Sequence, residues 1–160
     1  MLSDEKIKKY IPELKKELGI KLYTPLRYFR GLNTKAQMKS RMKTMHERIK
    51  KAKKNPKAKN LLAPFKTDKK VKTKKSKWTL KFHKKYPGVG GDLKDIAKAT
   101  KIPYRIIKKV YERGVKAFLT GHRPGVTAVQ WGYGRVYSFI FNHKLKSLRH
   151  DKDLAKLIRR

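Results

Sequence analysis

The sequence predicts a mainly α protein: a small helical domain with a helix-turn-helix-like unit, preceded by an extended basic arm and one long amphipathic helix. Three observations carry this. Apolar residues recur at helical spacing through Leu93, Ile96 and Ala97, and again through Ile106, Ile107, Val110, Tyr111 and Phe118. Met38, Met42, Met45, Ile49 and Ala52 alternate by four and three along one stripe. From Thr127 to Phe141 the only charge is Arg135, and a helix apolar nearly all round is a buried one.

Along the chain, Ser3 is placed to cap a first helix that carries Asp4 and Glu5 in its first turn and Ile7, Ile11, Leu14 and Leu18 on one face. Pro12 interrupts that stripe, which reads as a kinked helix or, preferably, as a short turn followed by a second helix begun by Pro12, with Gly19 as the stop. Lys21 to Leu32, with Tyr28 and Phe29 beside Arg27 and Arg30, reads as an extended arm whose aromatic residues dock on a partner. The long helix from Asn33 or Thr34 follows. Its Met38, Met42 and Met45 serve either as core or as an adaptable docking surface, since Met fills irregular gaps in both settings. Its other faces are cationic and almost unopposed by acid, and Lys50, Lys51, Lys53 and Lys54 crowd its end before Asn55-Pro56 stops it.

Lys57 to Lys77 carries nine Lys against Asp68 alone and predicts a basic linker, extended or disordered until a partner orders it. Lys69, Lys70, Lys72, Lys74 and Lys75 are its densest run. The expected division is therefore a basic arm over 1–77 and a compact helical domain over 78–160. In the second part Trp78, Phe82 and Tyr86 stand four apart behind Ser76, a cap candidate, and Thr127 with Gln130 forms a capping-box pattern. A strand over 135–141 is the alternative reading for that stretch. The expected core of the domain is Trp78, Phe82, Ala97, Ile107, Val110, Trp131 and Val136, and a short last helix over 151–158 folds back on it.

The helix pair at its centre has a defined shape. Asp92 caps the first helix and Pro103 suits the start of the second. Ala97 is small where the second helix crosses, and Ile102, Ile107 and Val110 are apolar where turn and helices meet, as in a helix-turn-helix. That motif usually has Gly one residue before Ile102. Lys101 stands there, which predicts a strained turn or a different one. The solvent side of the second helix presents Tyr104, Arg105, Lys108, Lys109 and Glu112 to a DNA groove or an acidic partner, or is simply a solvated face.

Composition narrows the functional classes. The 160 residues hold 46 Lys and Arg against 11 Asp and Glu, a formal charge of +35, and this draws the chain to polyanions. With 38% hydrophobic residues it is too apolar to be a disordered tail throughout. No Cys is present, so disulfides and Cys-based zinc sites are excluded, and the lack of an apolar start or long apolar run predicts a soluble protein. The five His have no metal-site spacing on one helix, no paired carboxylates suggest acid/base work, and no Ser sits in a nucleophile elbow. The Gly88 to Gly91 loop lacks the Lys-Ser/Thr of a phosphate-binding P-loop. No enzyme activity, cofactor, metal or small-molecule substrate is expected.

Ile102-Pro103-Tyr104 through Gly114, then Thr120-Gly121-His122-Arg123-Pro124-Gly125 and Gln130-Trp131-Gly132-Tyr133-Gly134-Arg135-Val136-Tyr137-Ser138-Phe139, resemble a region of small Lys-rich proteins from large double-stranded DNA viruses of algae and amoebae and some phage counterparts. Asp151-Lys152-Asp153-Leu154 is similar to that family's ending, whereas Asn142-His143-Lys144-Leu145 replaces a Gly-Gly-Lys-Thr-like run. The resemblance spans residues 76–155 and implies a structural virion component. The expected role is a minor capsid component beneath an icosahedral shell, bridging larger capsid proteins through its basic arm. The alternative is a DNA-binding or genome-condensing virion protein. A ribosome-like RNA-binding role is weaker, because no aromatic-bearing open sheet is evident. Nucleic acid and an acidic membrane surface are the other partners the charge admits.

Overall fold

Ser3 accepts the backbone N–H of Lys6 and opens helix α1, Asp4–Leu18, in the computed structural model, which describes residues 1–69 and 71–158. Six further helices follow: α2 (Lys35–Lys54), α3 (Lys77–Lys85), α4 (Leu93–Thr100), α5 (Tyr104–Ala117), α6 (Ala128–Asn142) and α7 (Lys152–Ile158). Three 3-10 turns, Leu26–Tyr28, Lys66–Asp68 and Phe118–Thr120, lie between them. No strand occurs among the described residues, so the strand alternative for 135–141 gives way to α6. The protein is mainly α, as predicted. It divides into two compact units, one of residues 1–73 and 116–128, the other of 74–115 and 129–160.

In the first unit, α1 runs unbroken through Pro12, against the expected restart at that residue. Proline removes one ladder hydrogen bond and crowds the preceding turn. Here its ring lies on the exposed face, while Ile7 and Leu14 are fully buried, and only one continuous helical phase keeps both on the core side. Gly19 closes the helix in the left-handed conformation, φ 62°.

The arm expected over 21–32 also turns inward. Tyr28, Phe29 and Leu32 are buried and join the core of this unit, which removes Tyr28 and Phe29 as docking anchors. Thr34 and Gln37 form a reciprocal capping box at the start of α2. Met38, Met42 and Met45 have no exposed surface at all, so the Met stripe is core and not a partner surface. Nor is α2 unopposed by acid: Glu13 pairs with Lys35 at 2.6 Å and Glu17 with Lys39, while Asp4 takes Arg30 at 2.6 Å. These pairs are exposed and add register more than stability.

The basic linker folds as well. Leu61, Phe65 and Asp68 are buried, because three residues with apolar or acidic side chains in this Lys-rich run have a core to enter. Phe118 and His122 complete the unit from the later stretch 116–128.

The second unit begins where Ser76 accepts the N–H of Thr79 and caps α3. Its core gathers Phe82, Ile96, Ala97, Ile102, Ile106, Ile107, Val110, Val136, Tyr137, Phe139, Ile140 and Leu154. Phe82 stacks on Tyr137 at 4.4 Å between centroids. Trp78 is half-buried at the edge of this cluster, and Trp131, expected in its centre, is half-buried outside it. The reason is helical phase: α6 turns Val136, Tyr137, Phe139 and Ile140 inward, which carries Trp131 to the other side.

α5 and α6 meet backbone to backbone. A Cβ on Gly114 would lie 2.8 Å from the Gly132 Cα, so the crossing requires glycine. Asp151, in the left-handed region at φ 59° and buried, accepts from Arg113 at 2.9 Å and from Arg135 at 2.8 and 3.1 Å. Arg113 also holds Asp153 at 2.8 and 2.7 Å, which keeps the Asp153 carboxyl far below the usual carboxylate range. The single charge of α6 is thus the post to which the start of α7 is tied.

Candidate nucleic-acid interface

Asp92 accepts the N–H of Lys94 at 2.8 Å and starts α4, and Lys101 ends it at φ 56°, ψ 24°. The left-handed turn of a helix-turn-helix is therefore kept with Lys in the glycine position. The strain falls on an exposed residue. Lys101→Gly is expected to raise the unfolding free energy by about 0.5–1 kcal/mol, read from the urea midpoint at unchanged slope.

Ala97, Ile102, Ile107 and Val110 are all buried in one cluster, which sets the rotation of α5 about its axis. With that face inward, Tyr104, Arg105, Lys108, Lys109 and Glu112 stand on the solvent side, Tyr104 at 40% exposure. Glu112 is the only acid on α5 and leans toward Lys108 at 3.9 Å, one turn away. Tyr104 and Arg105 occupy the first turn, where no carboxylate offsets the positive end of the helix dipole. This end of a recognition helix is the one that reaches base edges in a major groove. A guanidinium here has the fork geometry that pairs with guanine, and Lys108 and Lys109 one turn on suit phosphates.

Residues 25–158 match the family described as Family of unknown function (DUF5824). The chain belongs to that family. No curated protein and no solved structure matches it.

The DUF5824 match takes in α5 and most of both units, and the other predicted cations belong to other elements of the chain. Lys50, Lys51, Lys53 and Lys54 are exposed on the last turns of α2, and Lys69 and Lys72 are exposed in the first unit. Lys74 and Lys75 are exposed at the start of the second unit, and Lys70 lies outside the described residues. Among the described residues no cluster of three or more His, Asp or Glu is placed to hold a metal ion, and no helix is long and apolar enough to cross a membrane.

Sequence reasoning missed the most unusual group in this DUF5824 chain. Arg41, read as one of the cations on the outer faces of α2 that meet an anionic surface or a partner, is 1% exposed. Its guanidinium donates to the Asp68 carboxylate, to Thr67 Oγ1 at 3.2 Å and to the His122 carbonyl at 2.8 Å. The Phe65 ring carries Arg41 on it at 4.4 Å and Arg48 at 4.1 Å. His122 is stacked between Phe118 at 3.5 Å and Phe65 at 4.9 Å, with Nε2 3.3 Å from Asp68.

Burial pushes the Arg41 and His122 pKa values down, with Asp68 pulling both the other way. Burial also opposes ionisation of Asp68, but its hydrogen bond from His122 and the Arg41 charge outweigh this and leave its carboxyl below the usual range. An Arg cation, an Asp anion and a neutral His therefore share the site. The one trace in the sequence is Asp68 itself, the lone acid in a run of nine Lys, and nothing local names Arg41 or His122 as its partners.

Proposed function

We propose that this chain is a non-enzymatic nucleic-acid-binding protein that places α5 against duplex DNA, with its Lys-rich surface holding phosphates. The observation that carries the reading is the set Tyr104, Arg105, Lys108 and Lys109 standing together on the solvent face of a helix whose rotation is set by the buried Ala97–Ile102 turn. A charge of +35 supplies the sequence-independent part of the affinity. Only the α5 face has the geometry to add discrimination between sequences.

The test is selection of preferred duplexes from a random pool, followed by titration of variants. Arg105→Ala or Lys108→Ala is expected to cost about 1–3 kcal/mol against the preferred duplex and little against random duplex. Lys72→Ala with Lys75→Ala is expected to weaken all duplexes alike and to lower the salt slope by about 2. Equal losses from both sets of substitutions, or no preferred duplex, would defeat the role of α5.

A second reading, a minor capsid component under an icosahedral shell, is favoured by the resemblance of residues 76–155 to Lys-rich virion proteins. With Tyr28, Phe29 and the Met stripe inside the first unit, such a component would meet shell subunits through its cationic surface. Location separates the two. Fixed symmetric stoichiometry in shells emptied of genome supports the second reading, and co-purification with the genome after shell removal supports the first.

A further inference from the structure

Between Asp68 and Asp92 the chain has nine Lys and no acid, and three of those Lys stand on one line of α3. Lys77, Lys81 and Lys85 follow at intervals of four residues, about 6 Å of helix each. They make no ion pair among the described residues and rest on aromatic faces. Lys77 Nζ lies 4.8 Å from the Trp78 ring centre, and Lys81 Nζ lies 5.7 Å from Trp78 and 4.6 Å from Phe141 of α6. Lys85 Nζ lies 5.6 Å from Phe141 and 5.5 Å from Tyr86. Trp78 and Phe141 are themselves nearly parallel, 6.2 Å apart at 19°. Trp78, Phe141 and Tyr86 are half-buried, while the three Lys are exposed.

The result is a strip in which cations and flat rings alternate along one edge of the second unit. Trp78, Tyr86 and Phe141 pack against the rim of the core that Phe82 enters, and packing accounts for the rings but not for the three exposed Lys laid along them. An exposed ammonium gains little from lying on a ring, less than a nucleobase gains by stacking there. A phosphate can therefore draw each Lys off its ring and leave the face to the adjoining base. A duplex cannot use the strip this way, because its bases are already stacked on one another.

We propose that the α3–α6 strip is a binding surface for single-stranded nucleic acid, with Lys77, Lys81 and Lys85 on phosphates and Trp78 and Phe141 stacking bases. This surface is independent of the duplex-reading role of α5.

The full chain has two Trp, so Trp131→Phe leaves Trp78 as its only tryptophan reporter. Titration of this variant with oligothymidylate of about twelve nucleotides is expected to quench Trp78 emission, and inorganic polyphosphate, which has the charge but no bases, is expected to leave it unquenched. Trp78→Leu in the native background is expected to weaken oligothymidylate about tenfold by anisotropy and to leave polyphosphate affinity unchanged. Lys81→Gln with Lys85→Gln, both at exposed positions, is expected to lower the oligothymidylate salt slope by about 1.4. Should Trp78→Leu lose its helical circular dichroism, Phe141→Leu takes its place with the same expectation. Equal quenching by polyphosphate and oligothymidylate, or ring variants that weaken both alike, would overturn the proposal and leave the strip as Lys stems covering the rim of the core.

Discussion

Asp68→Asn is expected to destabilise the first unit by about 3–5 kcal/mol, because it leaves the Arg41 guanidinium buried with no anion. Arg41 is 1% exposed and Asp68 7%, so water cannot take over the lost contact. The remaining partners of Arg41, Thr67 Oγ1 and the His122 carbonyl, are neutral. Denaturant unfolding followed by circular dichroism measures the loss. The paired variant Arg41→Met with Asp68→Leu separates the explanations: removing both charges together is expected to recover most of the lost stability, since the cost lies in the unpaired charge. A loss below about 1 kcal/mol for Asp68→Asn would show that Arg41 does not depend on this carboxylate.

Gly114→Val is expected to cost the second unit about 3 kcal/mol or more. The atom that a new Cβ meets is the Gly132 Cα at 2.8 Å, with the Gly132 carbonyl oxygen at 3.2 Å. Backbone cannot rotate out of the way as a side chain can, so α5 and α6 must separate and loosen the layer that holds Val110 and Val136. The control lies one turn away in kind: a Cβ on Gly134 meets nothing within 4 Å, so Gly134→Ala is expected to raise stability by about 0.5–1 kcal/mol through helix propensity alone. Thermal unfolding of the two variants reads both signs. A neutral Gly114→Val would mean that the helix crossing is looser than the glycine pair implies.

Much of the second unit was legible because its signals are local. Ser76 and Asp92 cap the helices they were expected to cap, and Ala97, Ile102, Ile107 and Val110 enter the core together. The caps rest on residues within one turn of each other, and the cluster on residues no more than thirteen apart. The solvent face of α5 followed from the same spacing by subtraction. Trp131 was misplaced because α6 is apolar on several sides, and periodicity then does not say which of its residues turn inward.

The first unit was misread for a different reason. High charge suggested an arm that stays open until a partner closes it, yet Tyr28, Phe29, Met38, Met42, Met45, Leu61 and Phe65 are enough to form a core of their own. Lys on an outer face does not oppose burial of the residues between. Pro12 was given too much weight as well. A proline on the exposed side of a helix gives up one hydrogen bond, and the burial of Ile7 and Leu14 on the other side outweighs it.

By itself the sequence determined the helical class, the caps and the cationic face of α5, because all of these depend on neighbours no more than a few residues apart. Only the tertiary structure decided that Arg41 is buried on Asp68 and His122, partners 27 and 81 residues away along the chain, and that Lys77, Lys81 and Lys85 lie over rings from two helices. Contacts of that reach depend on which surfaces the fold brings together, and no local pattern of residues records them.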